Sequence, residues 1–406
     1  MSKTEWIVWL ELTALQKHIY RQFLDSERVK DALASSRSPL VALTVLKKIC
    51  DSPFLLHKPE EVGAGGRRQS TWEPQNSAPQ EDEEDEGPGW GGAEDEAGTV
   101  SQMLEVWLKQ TRTRAKREQG EGGAGGGGVL PADADAELVA AVMGSSKMAF
   151  VLQLVRRLVA EGHKTLVFSQ SSRMLRMLRA GTSAMRISSL YLTGHVTKIA
   201  KREQIIHEFN SCPHIPLLFL TTGVGGVGIT LTGADRVIIY DPSWNPATDA
   251  QAVDRAFRVG QTRPVLVYRL VTCGTVEEKI LRNQIFKRGL HKMVLQQENQ
   301  QRYFTKQQLR ELFKLGPLHL SETHEELAKL HASSASASTR PHADLLHQAH
   351  RQWLCNGESG GCSGDMGVRG VSEHHLLFTK LAESSIGREA PACADLSATP
   401  LTRYVA

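Results

Sequence analysis

From Lys147 onward the sequence predicts an α/β fold, a mostly parallel sheet with helices on both faces. The first observation is an apolar helix, Met148 to Val159, running directly into a short strand, Lys164 to Ser169. The second is the unbroken apolar run Leu166-Val167-Phe168 in that strand, which suits a strand covered on both sides. The third is the alternation that follows: a helix near Arg173 to Arg179, a strand near Ile187 to Leu192, a helix from Ile199 to Phe209 and a strand at Pro216 to Thr221. It continues through a strand at Arg236 to Tyr240, a helix at Ala247 to Arg258, a strand at Val265 to Val271 and a helix from Thr275. That last helix opens with a capping box, Thr275 and Glu278, which supplies partners for unpaired N-terminal amides. Alternating elements of this kind build a parallel sheet whose ligands sit at the carboxyl ends of the strands.

Around this unit the composition changes. Residues 1–58 carry apolar residues at helical spacing, Leu12, Leu15, Ile19, Phe23 and Leu24, then Leu40, Leu43, Leu46 and Ile49 after Pro39, so a helical lead-in is expected. Residues 59–145 hold the acidic run Glu81 to Glu86 and the glycine tract Gly120 to Gly128. Such a segment buries too little apolar surface to offset its ordering entropy and is expected to be a disordered insert, with a short helix at Met103 to Leu108 before the basic patch Thr111 to Arg117. Residues 146–295 form the α/β unit, 296–330 a helical extension, and 331–406 a mostly disordered tail, rich in serine at Ser333 to Ser338 and in glycine at Gly357 to Gly370, with one apolar patch at His375 to Leu381. The overall charge of +3 hides opposed blocks: residues 60–97 have 12 Asp and Glu against 2 Lys and Arg, whereas 147–330 have 26 Lys and Arg against 14 Asp and Glu. No apolar run reaches the roughly 18 residues that a membrane span needs, and Met1 to Trp9, with Lys3 and Glu5 among the apolar positions, do not read as a secretory signal. The six cysteines show no C-x-x-C spacing, so a soluble chain with free thiols and no metal site is expected.

The pattern Gly223-Val224-Gly225-Gly226-Val227-Gly228, directly after a strand and 18 residues before Asp241, satisfies the dinucleotide fingerprint. The residues after it, Ile229-Thr230-Leu231-Thr232-Gly233, make a poor helix, and the fingerprint needs a good one to face a pyrophosphate. A plain tight turn is the simpler alternative. A third reading comes from downstream, where Gln251, Arg255 and Arg258 fall on one face of the expected helix. Two neighbouring guanidiniums repel unless an anion lies between them, and a polyphosphate matches their donor geometry; the bland alternative is a surface helix paired with Asp254 and nearby Glu residues.

Three blocks then occur in a specific order: Thr165-Leu166-Val167-Phe168-Ser169-Gln170, Leu220-Thr221-Thr222 through Thr230-Leu231-Thr232, and Asp241-Pro242-Ser243-Trp244-Asn245-Pro246 through Gly260-Gln261. In this order the chain resembles the second RecA-like lobe of the Swi/Snf-type ATPases of helicase superfamily two. Lys3-Thr4-Glu5 through Gln16, and Leu46 through Pro53, resemble the segment joining the two lobes in that family. Ser36-Arg37-Ser38-Pro39-Leu40 and Arg302 through Phe313 resemble its PICH-like (ERCC-like) branch of DNA translocases. The resemblance implies that Arg255 and Arg258 are arginine fingers reaching the ATP phosphates, with Gln251, Asp254, Gly226 and Gly228 shaping the nucleotide side. It further implies that Ser169, Gln170, Thr221, Thr222, Gly225 and Trp244 line a track for double-stranded DNA, bound without regard to sequence.

Two departures matter. The family's usual Asp-Gly pair is replaced by Thr193-Gly194, and no G-x-x-x-x-G-K-[ST] occurs in the 406 residues, so lobe one, which would hold ATP and Mg²⁺ for the most part, is expected to be missing. The expected function is therefore that of the C-terminal lobe of an ATP-dependent DNA translocase or chromatin remodeller, without ATPase activity as a lone chain. Expected partners are duplex DNA and chromatin proteins, not a membrane, and the expected location is the nucleus or chromosomes. The alternatives are a non-catalytic DNA- or protein-binding module and a nicotinamide-dependent oxidoreductase.

Overall fold

The computed structural model describes residues 2–27, 29–30, 39–57, 100, 102–111, 129–131, 134–194, 196–225, 228–293, 306–331 and 367–374. In chain order these form strand β1 (Lys3–Leu10), helices α1 (Ala14–Leu24), α2 (Leu40–Asp51), α3 (102–111), α4 (Ala136–Met143) and α5 (Ser146–Ala160), and strand β2 (Thr165–Ser169). Helix α6 (Ser172–Ala184), strand β3 (Ser189–Leu192), helix α7 (Ile199–Ser211) and strands β4 (Leu217–Thr221) and β5 (Arg236–Ile239) follow. The remainder is helix α8 (Pro246–Val253), strand β6 (Val265–Thr272), helices α9 (Val276–Met293), α10 (Lys306–Phe313) and α11 (Glu322–His331), and strand β7 (Val368–Glu373).

The strands make one sheet in the order β3-β4-β2-β5-β6-β1-β7, parallel throughout except that β7 runs antiparallel to β1. Side chains alternate strictly across it. Leu166, Phe168, Leu218, Leu220, Val237 and Ile239 meet α7 and α8 on one face, whereas Val167, Leu217, Phe219, Ile238 and Tyr240 meet α5 and α6 on the other. Every residue of β2 is buried, as the apolar run Leu166-Val167-Phe168 requires. The result is the RecA-like second-lobe architecture expected from the sequence. No single helix among the described residues is long and apolar enough to cross a membrane.

Three expectations about the flanks are corrected. Lys3–Leu10, placed in a helical lead-in, is a strand: Trp6, Val8 and Leu10 face one side and Ile7 and Trp9 the other, leaving no polar stripe for a surface helix. Ala136–Met143, placed in the disordered insert, is a helix whose N-terminal amides at Glu137 and Leu138 donate to the Asp135 carboxylate. Residues 368–373, placed in a mostly disordered tail, are an ordered exception that pairs with β1, and the Trp9 indole donates to the Ser372 hydroxyl at 2.9 Å. The short helix expected at Met103 to Leu108 exists as α3. The acidic run, the glycine tract and the patch His375 to Leu381 lie outside the described residues.

The segment before β2 is joined to the lobe by buried polar groups. Thr13 caps α1 in a reciprocal box with Gln16, and the Gln16 side chain donates to the Ile49 and Cys50 carbonyls at 2.8 and 2.9 Å while accepting from the Ser146 amide. Lys147 is fully buried, its ammonium 2.8 Å from Asp51 and 2.5 Å from Glu277, so α2, α5 and α9 share one charge cluster. Burial alone would lower the Lys147 pKa, but the two carboxylates outweigh it and hold the ammonium above its ordinary value. Glu277 in turn accepts from the Thr272 amide and hydroxyl. The expected capping box at Thr275 forms only in part: the Thr275 hydroxyl accepts from the Glu277 amide, while Glu278 accepts from the Gly274 amide.

Replacing Lys147 by Met strands two buried carboxylates, and chemical denaturation should show a loss of about 3 to 5 kcal/mol. At the opposite edge of the sheet, Asp235 accepts from His163 at 2.9 Å. Burial pushes its carboxyl up, but the His163 hydrogen bond and the charges of Arg236, His163 and Arg263 outweigh this and hold it below the usual range. Because the folded value is the lower one, this carboxylate's contribution is complete above the unfolded pKa near 4 and is lost as pH falls through the depressed value. The stability difference between wild type and Asp235→Asn should thus shrink as pH falls below about 4.

Candidate functional site

Parallel pairing brings three strand ends to one edge. Ser169 lies opposite Thr221 and Phe168 opposite Ile239, so Ser169-Gln170, Thr221-Thr222 and the stretch from Tyr240 to Trp244 leave the sheet side by side. The edge is braced from below. The Gln170 amide donates to the Asp241 carboxylate at 3.0 and 3.3 Å, the Gln170 side chain donates to the Pro242 carbonyl at 3.0 Å, and the Lys47 ammonium donates to the same carbonyl at 2.9 Å. Burial pushes the Asp241 carboxyl up against the pull of Lys47 and Lys147. With its carboxylate turned inward and no helix over residues 228–235, the dinucleotide reading has lost both of its parts.

Among the residues assigned to a DNA track, Gln170 and Thr221 are half-buried at the edge, whereas the side chains of Ser169 and Thr222 are buried. The Ser169 hydroxyl accepts from the Ser171 amide at 3.2 Å. Gly225 ends the short helical turn Thr222–Gly225, and Trp244 packs against the main core. Gly226 lies outside the described residues.

Helix α8 starts as its sequence directs, with Pro246 in the first turn and the Asn245 side chain accepting from the Ala247 amide. It stops at Val253, five residues before the expected end, and Asp254 to Gly260 continue as tight turns, Gly260 adopting φ 100°. Gln251, Arg255 and Arg258 therefore do not share a helix face. The turns instead carry Arg258 to the exit of the glycine loop, where its Nη1 donates to the carbonyls of Gly228 at 3.1 Å and Ile229 at 3.3 Å and to the Thr230 hydroxyl at 3.2 Å. The Leu231 amide closes the junction by donating to the Arg255 carbonyl. Arg258 remains exposed, and the space where Gly228 would carry a side chain is open. Gln251 is exposed, and Asp254 is exposed and 3.5 Å from the Lys3 ammonium.

Past the end of α8 the turns are clamped by Gln261. Buried Gln261 donates through Nε2 to the Ala234 carbonyl at 2.7 Å and the Ala256 carbonyl at 3.0 Å, and its Oε1 accepts from the amides of Thr262 and Arg263 at 3.0 Å. The sequence places Gln261 at the end of the third block and gives it no role. Asp249 and Arg269 have no place among the expected site residues, yet their buried carboxylate and guanidinium lie 2.7 Å apart beneath α8. A charged residue inside an otherwise apolar strand, Val265–Thr272, was the available signal.

Residues 146–260 match the helicase conserved C-terminal domain. The chain is similar to the DNA excision repair protein ERCC-6-like of Danio rerio, 39% identical over 93% of this chain and 22% of that protein. It is also similar to its Homo sapiens counterpart, 36% identical over 93% and 25%, and to Protein CHROMATIN REMODELING 24 of Arabidopsis thaliana, 37% identical over 94% and 30%. The chain thus spans about a fifth to a third of the length of the curated relatives it matches. The solved C-terminal part of the Fun30 ATPase domain superposes with a TM-score of 0.48 at 23% identity, over 77% of this chain and 95% of that one, too loosely to bear on function.

Gln261→Ala would leave two carbonyls and two amides without partners, so denaturant titration should register a loss of about 2 to 4 kcal/mol, with residues 254–263 losing hydrogen-exchange protection first. A strand edge braced by Asp241, an arginine turn clamped by Gln261 and the match over residues 146–260 converge on one assignment: the chain carries a Swi/Snf-type helicase-like C-terminal lobe.

Proposed function

We propose that this chain supplies the second lobe of an ATP-dependent double-stranded DNA translocase or chromatin remodeller. The observation that carries the reading is the exposed Arg258 guanidinium, docked on the carbonyls of the glycine loop at the carboxyl side of a parallel sheet. Arg258 and Arg255 are the groups that would neutralise ATP phosphates presented by a facing lobe, with Gln251 and Asp254 flanking them. Gly226 and Gly228 would let main chain approach the anion. ATP, when bound, supplies the phosphoryl group whose charge such arginines stabilise, and an arginine in this role is worth about 10³ to 10⁵ in rate.

The same edge would carry the DNA track. Gln170, Thr221 and Gly225 would meet the phosphate backbone, with Ser169 and Thr222 supporting them from beneath and Trp244 beside them. Contacts of this type are independent of sequence and weaken with salt, which fits the excess of Lys and Arg over residues 147–330. Relatives named for DNA excision repair and chromatin remodelling support a nuclear, chromatin-associated role. The second reading is a non-catalytic DNA- or protein-binding module, which the basic residues 147–330 would serve without a nucleotide role for Arg258.

One experiment separates the two. Joined behind a helicase N-terminal lobe that contains the P-loop motif, the chain should hydrolyse ATP with stimulation by duplex DNA. Arg258→Ala should lower kcat by about 10³ or more while duplex affinity stays near wild type. Turnover by the 406 residues alone, or an Arg258→Ala protein at the wild-type rate, would overturn the assignment.

A further inference from the structure

Arg269 stands in the middle of β6, nearly fully buried, with the apolar residues Val267, Tyr268, Leu270 and Val271 around it. Taking a guanidinium out of water costs several kcal/mol unless it is fully paired, so a strand that needed only packing would carry Leu or Val there. Its partners identify what it holds. Nη1 is 2.7 Å from Asp249 in the first turn of α8, and Nη2 is 3.5 Å from Glu5 on β1. Asp249 has no exposure, and its carboxylate also accepts from the Ser243 amide at 3.1 and 3.3 Å, where the chain enters α8. Glu5 is held in turn by Lys3 and by His374, which follows β7, each at 3.2 Å. Lys3 reaches the other end of the same segment, 3.5 Å from Asp254 and 5.7 Å from the centre of the Phe257 ring.

Helix α8 needs such a hold. It has only eight residues, below the roughly 12 at which an isolated helix becomes even marginally stable, and the side chains it buries besides Asp249 are Ala252 and Val253. Apolar contact from so few small side chains leaves the helix free to slide, whereas a desolvated ion pair fixes its place on the sheet.

We propose that Asp249, Arg269 and Glu5 are positioning residues for the arginine-bearing segment 246–258, and that through them strand β1 sets where Arg255 and Arg258 stand. This deepens the reading of the previous subsection and rests on it for the consequence in catalysis. The three residues touch neither nucleotide nor DNA; they act through α8.

Hydrogen exchange and kinetics test the proposal together. In the 406-residue chain, Arg269→Met and Asp249→Asn should speed exchange of amides 247–258 about tenfold or more, with β2 and α5 unchanged, and Arg269→Lys should restore most of the protection because an ammonium can still meet Asp249. Asp249→Asn keeps the shape of the side chain and carries the test if Arg269→Met does not fold. In the two-lobe fusion the same variants should lower kcat about tenfold or more, leave the KM for ATP and duplex affinity within about twofold, and recover with Arg269→Lys. Unchanged exchange at 247–258, equal acceleration in β2 and α5, or a loosened segment with normal kcat would each overturn the proposal. A wild-type fusion without ATP turnover would instead remove the arginine-finger reading, and the exchange data would still decide whether these residues position the segment.

Discussion

The Lys147 ammonium is the contact on which the rest of the molecule depends. It is buried without exposure between Asp51 at the end of α2 and Glu277 at the start of α9, and Tyr240 at the end of β5 lies 5.4 Å from it and donates its hydroxyl to the Asp51 carbonyl. Four elements far apart in sequence therefore meet at one charge. A buried ion cluster adds little net stability compared with apolar side chains of the same shape, but it is intolerant of displacement, since each charge left alone in the interior costs several kcal/mol. That intolerance fixes the N-terminal segment in one place relative to the strand ends. Lys47, one turn before Asp51, then reaches the Pro242 carbonyl, and Asp241 receives the Gln170 amide.

The other face of the sheet is organised in the same manner by a different pair. Arg269 and Asp249 fasten α8 beneath the turn that carries Arg258, and Glu5 ties both to β1. Strand β1 thus belongs to both arrangements: its apolar side chains Trp6, Val8 and Leu10 enter the core around Lys147, and its polar ones, Lys3 and Glu5, address the arginine segment.

The sheet itself was legible because its signal is local. Leu166-Val167-Phe168 is apolar, and Val265 to Val271 is apolar apart from Arg269, both without a helical period, and each is followed by turn residues and a helix, so periodicity identifies them. Lys3–Leu10 was not legible. The short apolar run Trp6 to Leu10 reads equally as a lead-in to the helix that follows, and only its pairing with β6, 262 positions later in the chain, decides for a strand. The same holds for residues 368–373, whose single Val-Arg-Gly-Val-Ser-Glu run acquires meaning only by pairing with Trp6 to Leu10.

The sequence by itself determined the α/β class, the blocks that mark the lobe and the strand ends at which its functional groups gather, because these follow from side-chain period and from turn chemistry within a few residues. Tertiary structure alone decided how the turns after α8 are held, since Gln261 takes carbonyls from residues 234 and 256 that no local rule relates, and which charges are buried, since Lys147, Asp51 and Glu277 are scattered over 227 positions. Propensity acts between neighbours in the chain, whereas desolvation acts between neighbours in space, and the arginine segment is placed by the second.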